Sequence, residues 1–272
     1  MAYVVLRCGS ASRGDTNPNS DVDWVCIWRD GAPNYNEISE RYCGVMFYSA
    51  ETIRRMMRRG ALFIVHLDLE GQYFEGDSSI MDIYRGYIPS AVSLGQSVAE
   101  TSSFILGLNW FPTGRLGWFW LLDVLYVSLR NYIFCSNALN KTYRFGFVDA
   151  LTAFGLSEKH IKVLLKVREG KYAFRKEGCV EDIELSLPQV EDVCSVVLKG
   201  NIEFHTGGRT NWNEVLAPYY WRERMVERAI INCEHDDEMF LKMMKVHNYA
   251  KSDLKAAADR IISLKQSASL SW

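Results

Sequence analysis

The sequence lacks the cysteine spacing of a zinc site and of a disulfide-bonded secreted domain. Its seven cysteines are scattered, and no two of them form a Cys-x-x-Cys pair. An odd and scattered set of thiols is typical of a protein kept in a reducing compartment. No apolar leader precedes the first predicted strand, so we expect a cytoplasmic protein.

The sequence also lacks a strong charge of one sign and a long uninterrupted apolar run. The net charge is −2, so a polyanion such as nucleic acid would be bound by a local patch rather than by the whole protein. The most apolar stretch, residues 116–133, contains Asp123 and Arg130, which favours a buried helix over a membrane span. A chain of 272 residues, 48% hydrophobic and 24% charged, is typical of a soluble globular protein with one large domain or two modest ones.

A short motif near the N-terminus carries most of the chemical information in the sequence. A predicted strand, residues 3–8, is followed by Gly9 and Ser10, a polar loop, and then Asp21 and Asp23 at the start of a second predicted strand. Side chains two residues apart on a strand lie on the same face, so the two carboxylates are expected close together. A divalent cation commonly neutralises such a pair, which makes both aspartates candidate metal ligands.

The spacing of this motif is similar to that of a known superfamily. Gly9-Ser10, ten intervening residues and then Asp21-Val22-Asp23 resemble the signature of the DNA polymerase β-type nucleotidyltransferases. The residues between them, Arg13-Gly14-Asp15 and Ser20, resemble those of the minimal and antibiotic-modifying bacterial members.

The resemblance implies a fold and an activity. It implies an α+β domain that transfers an NMP from an NTP, with ATP as the expected donor, to an acceptor hydroxyl. Mg²⁺ is the implied metal, with Mn²⁺ as the alternative, and Asp21 and Asp23 are the implied catalytic and metal-binding residues. The residues implied to bind the nucleotide are Gly9, Ser10, Arg13 and Ser20. From the residues alone, Arg13 pairing with Asp15 and Ser20 capping a turn stay open as alternatives.

The sequence departs from this superfamily at one position. Similar enzymes carry a third carboxylate on the next strand, predicted here over residues 42–48, where the matching position falls near Gly44. Glu37 and Glu40, in a predicted polar loop just upstream, are candidate substitutes. The third carboxylate often serves as general base, so the base would come from the second domain or from the acceptor, or catalysis would be weak or lost. The alternative function is a catalytically weak nucleotide-binding regulator or an antitoxin-like partner protein.

Two helices are predicted after this strand, over residues 51–60 and 61–70, the second closed by Gly71. The second helix has the pattern Leu-Phe-x-x-His-Leu-x-x-Glu-Gly, which also resembles bacterial nucleotidyltransferases and extends the resemblance to about residues 3–77. We predict that His66 is a packed, hydrogen-bonded core histidine rather than a catalytic base.

The rest of the chain has the periodicity of helices. We therefore predict a nucleotidyltransferase domain over residues 1–90 and an all-helical bundle over residues 91–272. The predicted helices span residues 91–107, 115–139, 145–155, 157–170, 188–199, 213–234 and 236–265. The bundle would shape the acceptor side. The acceptor stays open among an RNA such as tRNA, a partner protein, an aminoglycoside-like molecule and a second nucleotide. A homodimer also stays open, and no membrane is expected.

One segment of the bundle resembles a second family. Arg130-Asn131, three further residues and Cys135 are similar to the Arg-Asn-x-x-x-His motif of HEPN-type helical ribonucleases, with cysteine in place of the histidine. Cysteine is a poor base for RNA cleavage, so we expect a HEPN-like bundle without nuclease activity. A salt bridge from Arg130 to Asp123 or another buried carboxylate is the simpler interpretation.

Overall fold

The computed structural model describes residues 2–9, 22–175, 183–212, 219–245 and 251–269. Helices and a mixed sheet occur together, which confirms the predicted α+β class. The chain divides into two compact units, residues 1–98 with 133–155 and residues 99–132 with 156–272. These units are defined by contacts between residues and not by independent folding. The division into domains 1–90 and 91–272 therefore stays a prediction.

The first unit is built on a four-stranded sheet with the strand order β3-β2-β1-β4. Strand β1 pairs antiparallel with both β2 and β4, and β2 pairs parallel with β3. The elements are β1 (Ala2–Cys8), β2 (Asp23–Arg29), α1 (Tyr35–Arg41), β3 (Met46–Ser49), α2 (Ala50–Arg58), α3 (Leu62–Glu70) and β4 (Gln72–Gly76), followed by a 3₁₀ turn at Ser78–Ile83.

The two central strands are buried on both faces of the sheet. Alternate residues of β1 and β2 point to opposite faces, and each face has its own apolar core. Val4 and Val25 pack in the core that also contains residues of α2 and α3. Val5 and Cys26 pack in the core on the other face, against Ile38 of α1. Helices α2 and α3 therefore cover one face of the sheet and α1 covers the other.

Helix α1 replaces most of the polar loop predicted over residues 29–40. Its N-cap is Asn34, whose Oδ1 accepts a hydrogen bond from the backbone N–H of Glu37 at 3.4 Å. A single buried side chain, Ile38, holds the helix on the sheet. The prediction was wrong because one apolar residue in a polar stretch gives no helical periodicity.

The two helices that follow match their predictions closely. Ser49 caps α2 by accepting a hydrogen bond from the N–H of Thr52 at 3.1 Å. Helix α3 ends at Glu70 and is capped by Gly71, as predicted. Strand β3 is shorter than its prediction and begins at Met46, so Gly44 lies in the turn that precedes it.

The described part of the second half is helical apart from a two-residue ribbon. Strands β5 (Trp110–Phe111) and β6 (His205–Thr206) pair parallel. The helices are α4 (Ala91–Gly107), α5 (Gly114–Leu139), α6 (Phe147–Ala153), α7 (Glu158–Arg175), α8 (Leu187–Leu198), α9 (Tyr219–Ile231), α10 (Glu238–Lys245) and α11 (Lys251–Ser269). The stretch 116–133 is part of α5 and is largely buried, as predicted. In the described ranges, no helix has both the length and the apolar character needed to cross a membrane.

A buried charge cluster lies in the core of the second unit. Asp123 accepts hydrogen bonds from Arg224 at 2.5 Å and from Arg175 at 2.7 Å, and its side chain is fully buried. The predicted pairing of Arg130 with Asp123 is therefore wrong. The guanidinium of Arg130 instead lies over the ring of Tyr126, 5.3 Å from its centroid.

The other members of the HEPN-like segment have ordinary structural contacts. The Asn131 side-chain amide donates to the Thr101 hydroxyl at 2.8 Å. Burial raises the pKa of the Cys135 thiol to about 11, and the side chain packs with Leu94 and Ala138. A buried thiol with a raised pKa is unsuited to proton transfer at neutral pH.

Candidate nucleotide-binding site

The candidate site begins where β1 and β2 diverge. Cys8 is the last residue of β1 and lies opposite Asp23, the first residue of β2. The chain between the two strands contains Ser10, Arg13, Ser20 and Asp21, and these four predicted site residues lie outside the described residues. Gly9 and Asp23 are the predicted site residues whose positions the structure gives.

Gly9 lies directly against the carboxylate of Asp23. A Cβ added to Gly9 would be 2.2 Å from Asp23 Oδ2, far inside van der Waals contact. The φ angle of Gly9 is +74°, a left-handed conformation that side chains strongly disfavour. Two independent features thus favour glycine here, the left-handed backbone and the close approach of the Asp23 carboxylate.

Asp23 is exposed and begins the strand on a defined face of the sheet. Residues 23, 25 and 27 alternate onto the face that packs against α2 and α3, because Val25 and Ile27 belong to that core. The Asp23 side chain is therefore directed to the same face as Cys8 and accessible to solvent at the end of the hairpin.

A second carboxylate, Glu70, lies on this face. Burial raises the pKa of the Cys8 thiol to about 12, and the charges of Asp23 and Glu70 add to that effect. Both carboxylates are thus near the same strand end. Glu70 is the last residue of α3, and its side chain is 17% exposed.

His66 holds Glu70 in place. His66 Nε2 is 2.9 Å from Glu70 Oε2, one helical turn further along α3. The imidazole also stacks on Phe145, with 4.7 Å between ring centroids and 25° between planes. The prediction of a packed, hydrogen-bonded histidine is confirmed. The sequence reasoning did not single out Glu70, although the His-x-x-x-Glu spacing on a helix is a signal that the two side chains meet.

The substitutes suggested for the third carboxylate are placed elsewhere. Glu37 and Glu40 belong to α1, which packs on the face of the sheet opposite to Asp23. Gly44 lies in a turn, and a Cβ added there would meet nothing within 4 Å. Strand β3 itself, Met46-Phe47-Tyr48-Ser49, carries no acidic residue. Of these acidic candidates, Glu70 is the one on the face of Asp23.

The arrangement suits a hard cation. Carboxylate oxygens are the ligands that Mg²⁺ prefers, and Asp23 is exposed, so its carboxylate is accessible to a cation. The described ranges contain no group of three or more His, Cys, Asp or Glu side chains placed to hold a metal ion. Asp21, the expected partner ligand of Asp23, is outside those ranges.

Comparisons of the chain with protein-family models, with curated proteins and with solved structures found no match.

Proposed function

We propose that this protein is a Mg²⁺-dependent nucleotidyltransferase of the DNA polymerase β-like type that transfers an NMP from an NTP, with ATP as the expected donor. The observation that carries the proposal is the close approach of Gly9 to the Asp23 carboxylate at the end of the β1–β2 hairpin. Glycine is common in turns, but here it also brings the backbone against a carboxylate, and a glycine turn whose backbone N–H groups face a phosphate beside a metal-binding carboxylate is the arrangement that a triphosphate site uses.

The residues have separate roles in this reaction. Asp21 and Asp23 would hold the cation, which would supply charge neutralisation on the triphosphate. The Gly9–Ser10 turn, with Arg13 and Ser20, binds the phosphates. The acceptor hydroxyl oxygen forms a bond to the α-phosphorus, the bond from that phosphorus to the bridging oxygen breaks, and pyrophosphate leaves with the electron pair.

Glu70 is the carboxylate we assign to the proton of the acceptor hydroxyl. It lies on the face of Asp23, is partly exposed, and is oriented by His66 at 2.9 Å. A carboxylate held by a neighbouring imidazole can accept a proton at a fixed position. This assignment replaces the missing acidic residue at Gly44 and needs no contribution from another unit of the protein.

A nucleotide-binding regulator is the second candidate. The absence of any acidic residue from strand β3, Met46–Ser49, favours it, because similar enzymes use that strand for the third carboxylate. The acceptor is open in either case, and RNA, a partner protein and an aminoglycoside-like molecule are the classes to be screened.

A reducing, cytoplasmic location fits the six described cysteines, which are all free thiols.

The test is transfer of label from each α-³²P-NTP in the presence of Mg²⁺ and cell extract. We expect the wild-type protein to label one class of acceptor and Asp23→Asn to lose the labelling. Asp30→Asn is the matched control, because Asp30 begins the turn after β2 and its side chain is 80% exposed. Asparagine also tolerates the left-handed backbone of that residue.

The outcomes separate the candidates. Labelling by wild type and Asp30→Asn but not by Asp23→Asn supports the transferase. ATP binding measured by calorimetry without labelling of any acceptor supports the regulator. Equal labelling by wild type and Asp23→Asn contradicts the proposed site.

A further inference from the structure

A cavity of about 410 Å³ lies within the second unit. Its walls come from the C-terminal end of α4, from strand β5, from residues 209–211 and from helix α9. The volume is within the range of about 300–1,000 Å³ that is usual for small-molecule sites. Of the described residues that line it, two are arginines and none is acidic.

Arg228 is the buried cation of this cavity. Its exposed fraction is 6%, and its guanidinium lies over the Trp110 ring at 3.8 Å from the centroid. Nη1 donates a hydrogen bond to the Trp110 carbonyl at 3.3 Å. Among the described residues, Nε has no hydrogen-bond partner and no carboxylate lies within ion-pair distance of the guanidinium. Most donors of the guanidinium are therefore not used by the described part of the chain.

The acidic residue whose charge acts on Arg228, Glu234, is already engaged. Its carboxylate accepts hydrogen bonds from the Thr210 backbone N–H at 3.1 Å and from the Asn232 side-chain amide at 2.9 Å. Burial lowers the pKa of Arg228 to about 10, and the charge of Glu234 only partly opposes that effect. Within the described ranges, Arg228 is thus a desolvated cation that no carboxylate contacts.

Arg224, on the same helix, is a buried arginine whose ion-pair partners belong to the protein. Arg224 is fully buried, and it pairs with Asp123 at 2.5 Å and with Glu227 at 2.8 Å. Buried cations in proteins are normally paired in this way, because an unpaired buried charge is costly. Arg228 differs from Arg224 in that the described residues offer its guanidinium no carboxylate partner.

The rest of the cavity offers both polar and apolar contacts. Arg209 is exposed at the mouth, with Asn109 and Ser103 also lining the opening. Phe104 and Met225 are half-buried and provide an apolar wall. The Trp110 ring is fixed on one side by the backbone of Gly208, where an added Cβ would lie 2.5 Å from the ring.

We propose that this cavity binds a small organic anion, with its phosphate or carboxylate group on Arg228 and Arg209 and an aromatic or apolar body against Phe104 and Met225. An oxyanion supplies the acceptors that the buried guanidinium lacks, and the planar guanidinium fork can donate to two oxygens of a carboxylate or a phosphate. The proposal is independent of nucleotidyl transfer, because none of these residues belongs to the Asp23 site.

The test is isothermal calorimetry of the full chain with four probes: phenyl phosphate, benzoate, inorganic phosphate and phenol. We expect phenyl phosphate or benzoate to bind at least about tenfold more tightly than phenol, and the tighter of the two identifies the anion class. Inorganic phosphate should bind more weakly than phenyl phosphate, because it lacks the apolar body. Arg228→Met should weaken binding of the preferred probe at least about tenfold.

Two further variants keep the proposal falsifiable if Arg228→Met does not fold. Arg209→Gln changes an exposed residue and should weaken binding, and Ser103→Trp should fill the mouth and abolish it. Arg260→Gln is the charge-matched control, because Arg260 is 68% exposed and does not line the cavity. Anions that bind no better than phenol, or binding left unchanged by both Arg209→Gln and Ser103→Trp, would overturn the proposal. Asp23→Asn should leave this binding unchanged, which separates the cavity from the proposed transferase site.

Discussion

Replacing Gly9 by alanine tests the close approach on which the nucleotide site depends. The Cβ of alanine would be 2.2 Å from Asp23 Oδ2, whereas carbon and oxygen atoms in contact are more than 3 Å apart. The carboxylate must therefore move by roughly 1 Å, and a displacement of that size in a reacting group can cost about 100-fold in rate. We expect Gly9→Ala to lose about 100-fold in label transfer from α-³²P-ATP.

The backbone effect of this substitution has a matched control in Gly44. The φ angles are +74° for Gly9 and +73° for Gly44, so alanine adds about 1–2 kcal/mol of left-handed strain at either position. A Cβ at Gly44 meets nothing within 4 Å. Both variants should lose similar free energy of unfolding in urea, while Gly44→Ala keeps its transfer activity. Equal activity of the two variants would refute the reasoning.

Two further predictions concern Glu70 and the buried arginines. Glu70→Gln should reduce the rate of transfer by about 10²-fold or more, because it removes the assigned base. Glu37→Gln, on the opposite face of the sheet, should leave the rate unchanged. Single-turnover assays compare the two variants, and equal rates would remove Glu70 from the mechanism. In urea unfolding, Arg224→Met should lose about 3–5 kcal/mol, because, among the described residues, the buried Glu227 loses its ion-pair partner and the buried Asp123 keeps only Arg175. Arg228→Met should change stability by less than about 1 kcal/mol, because the loss of the Trp110 contact is offset by removal of an unpaired buried charge. A loss as large as that of Arg224→Met would make Arg228 a structural residue.

Local signals in the sequence predicted the elements around the site. The apolar run at residues 3–8, the Ser49 cap and the glycine at position 71 each act within a few residues, so strand β1 and helices α2 and α3 could be placed in advance. Helix α1 could not, since its one buried side chain, Ile38, makes no pattern.

Contacts between distant residues could not be predicted in the same way. Asp123 pairs with residues 52 and 101 positions away, and the nearer Arg130 was the more obvious partner in sequence. The placement of Glu70 near the strand end depends on which face of the sheet α3 covers, and a single sequence does not specify that face. The cavity around Arg228 could not be predicted for the same reason, because its walls come from three segments that are far apart in the sequence.

The most direct test of the central claim is calorimetric binding of ATP with Mg²⁺ to the full chain. Asp23 is expected to bind the cation that accompanies the triphosphate, so Asp23→Asn should weaken binding at least about tenfold. The wild-type protein and Asp30→Asn should bind with the same affinity, and removal of Mg²⁺ should weaken binding by both to the level of Asp23→Asn. Binding by Asp23→Asn that equals the wild type and does not depend on Mg²⁺ would contradict a nucleotide site at the end of the β1–β2 hairpin.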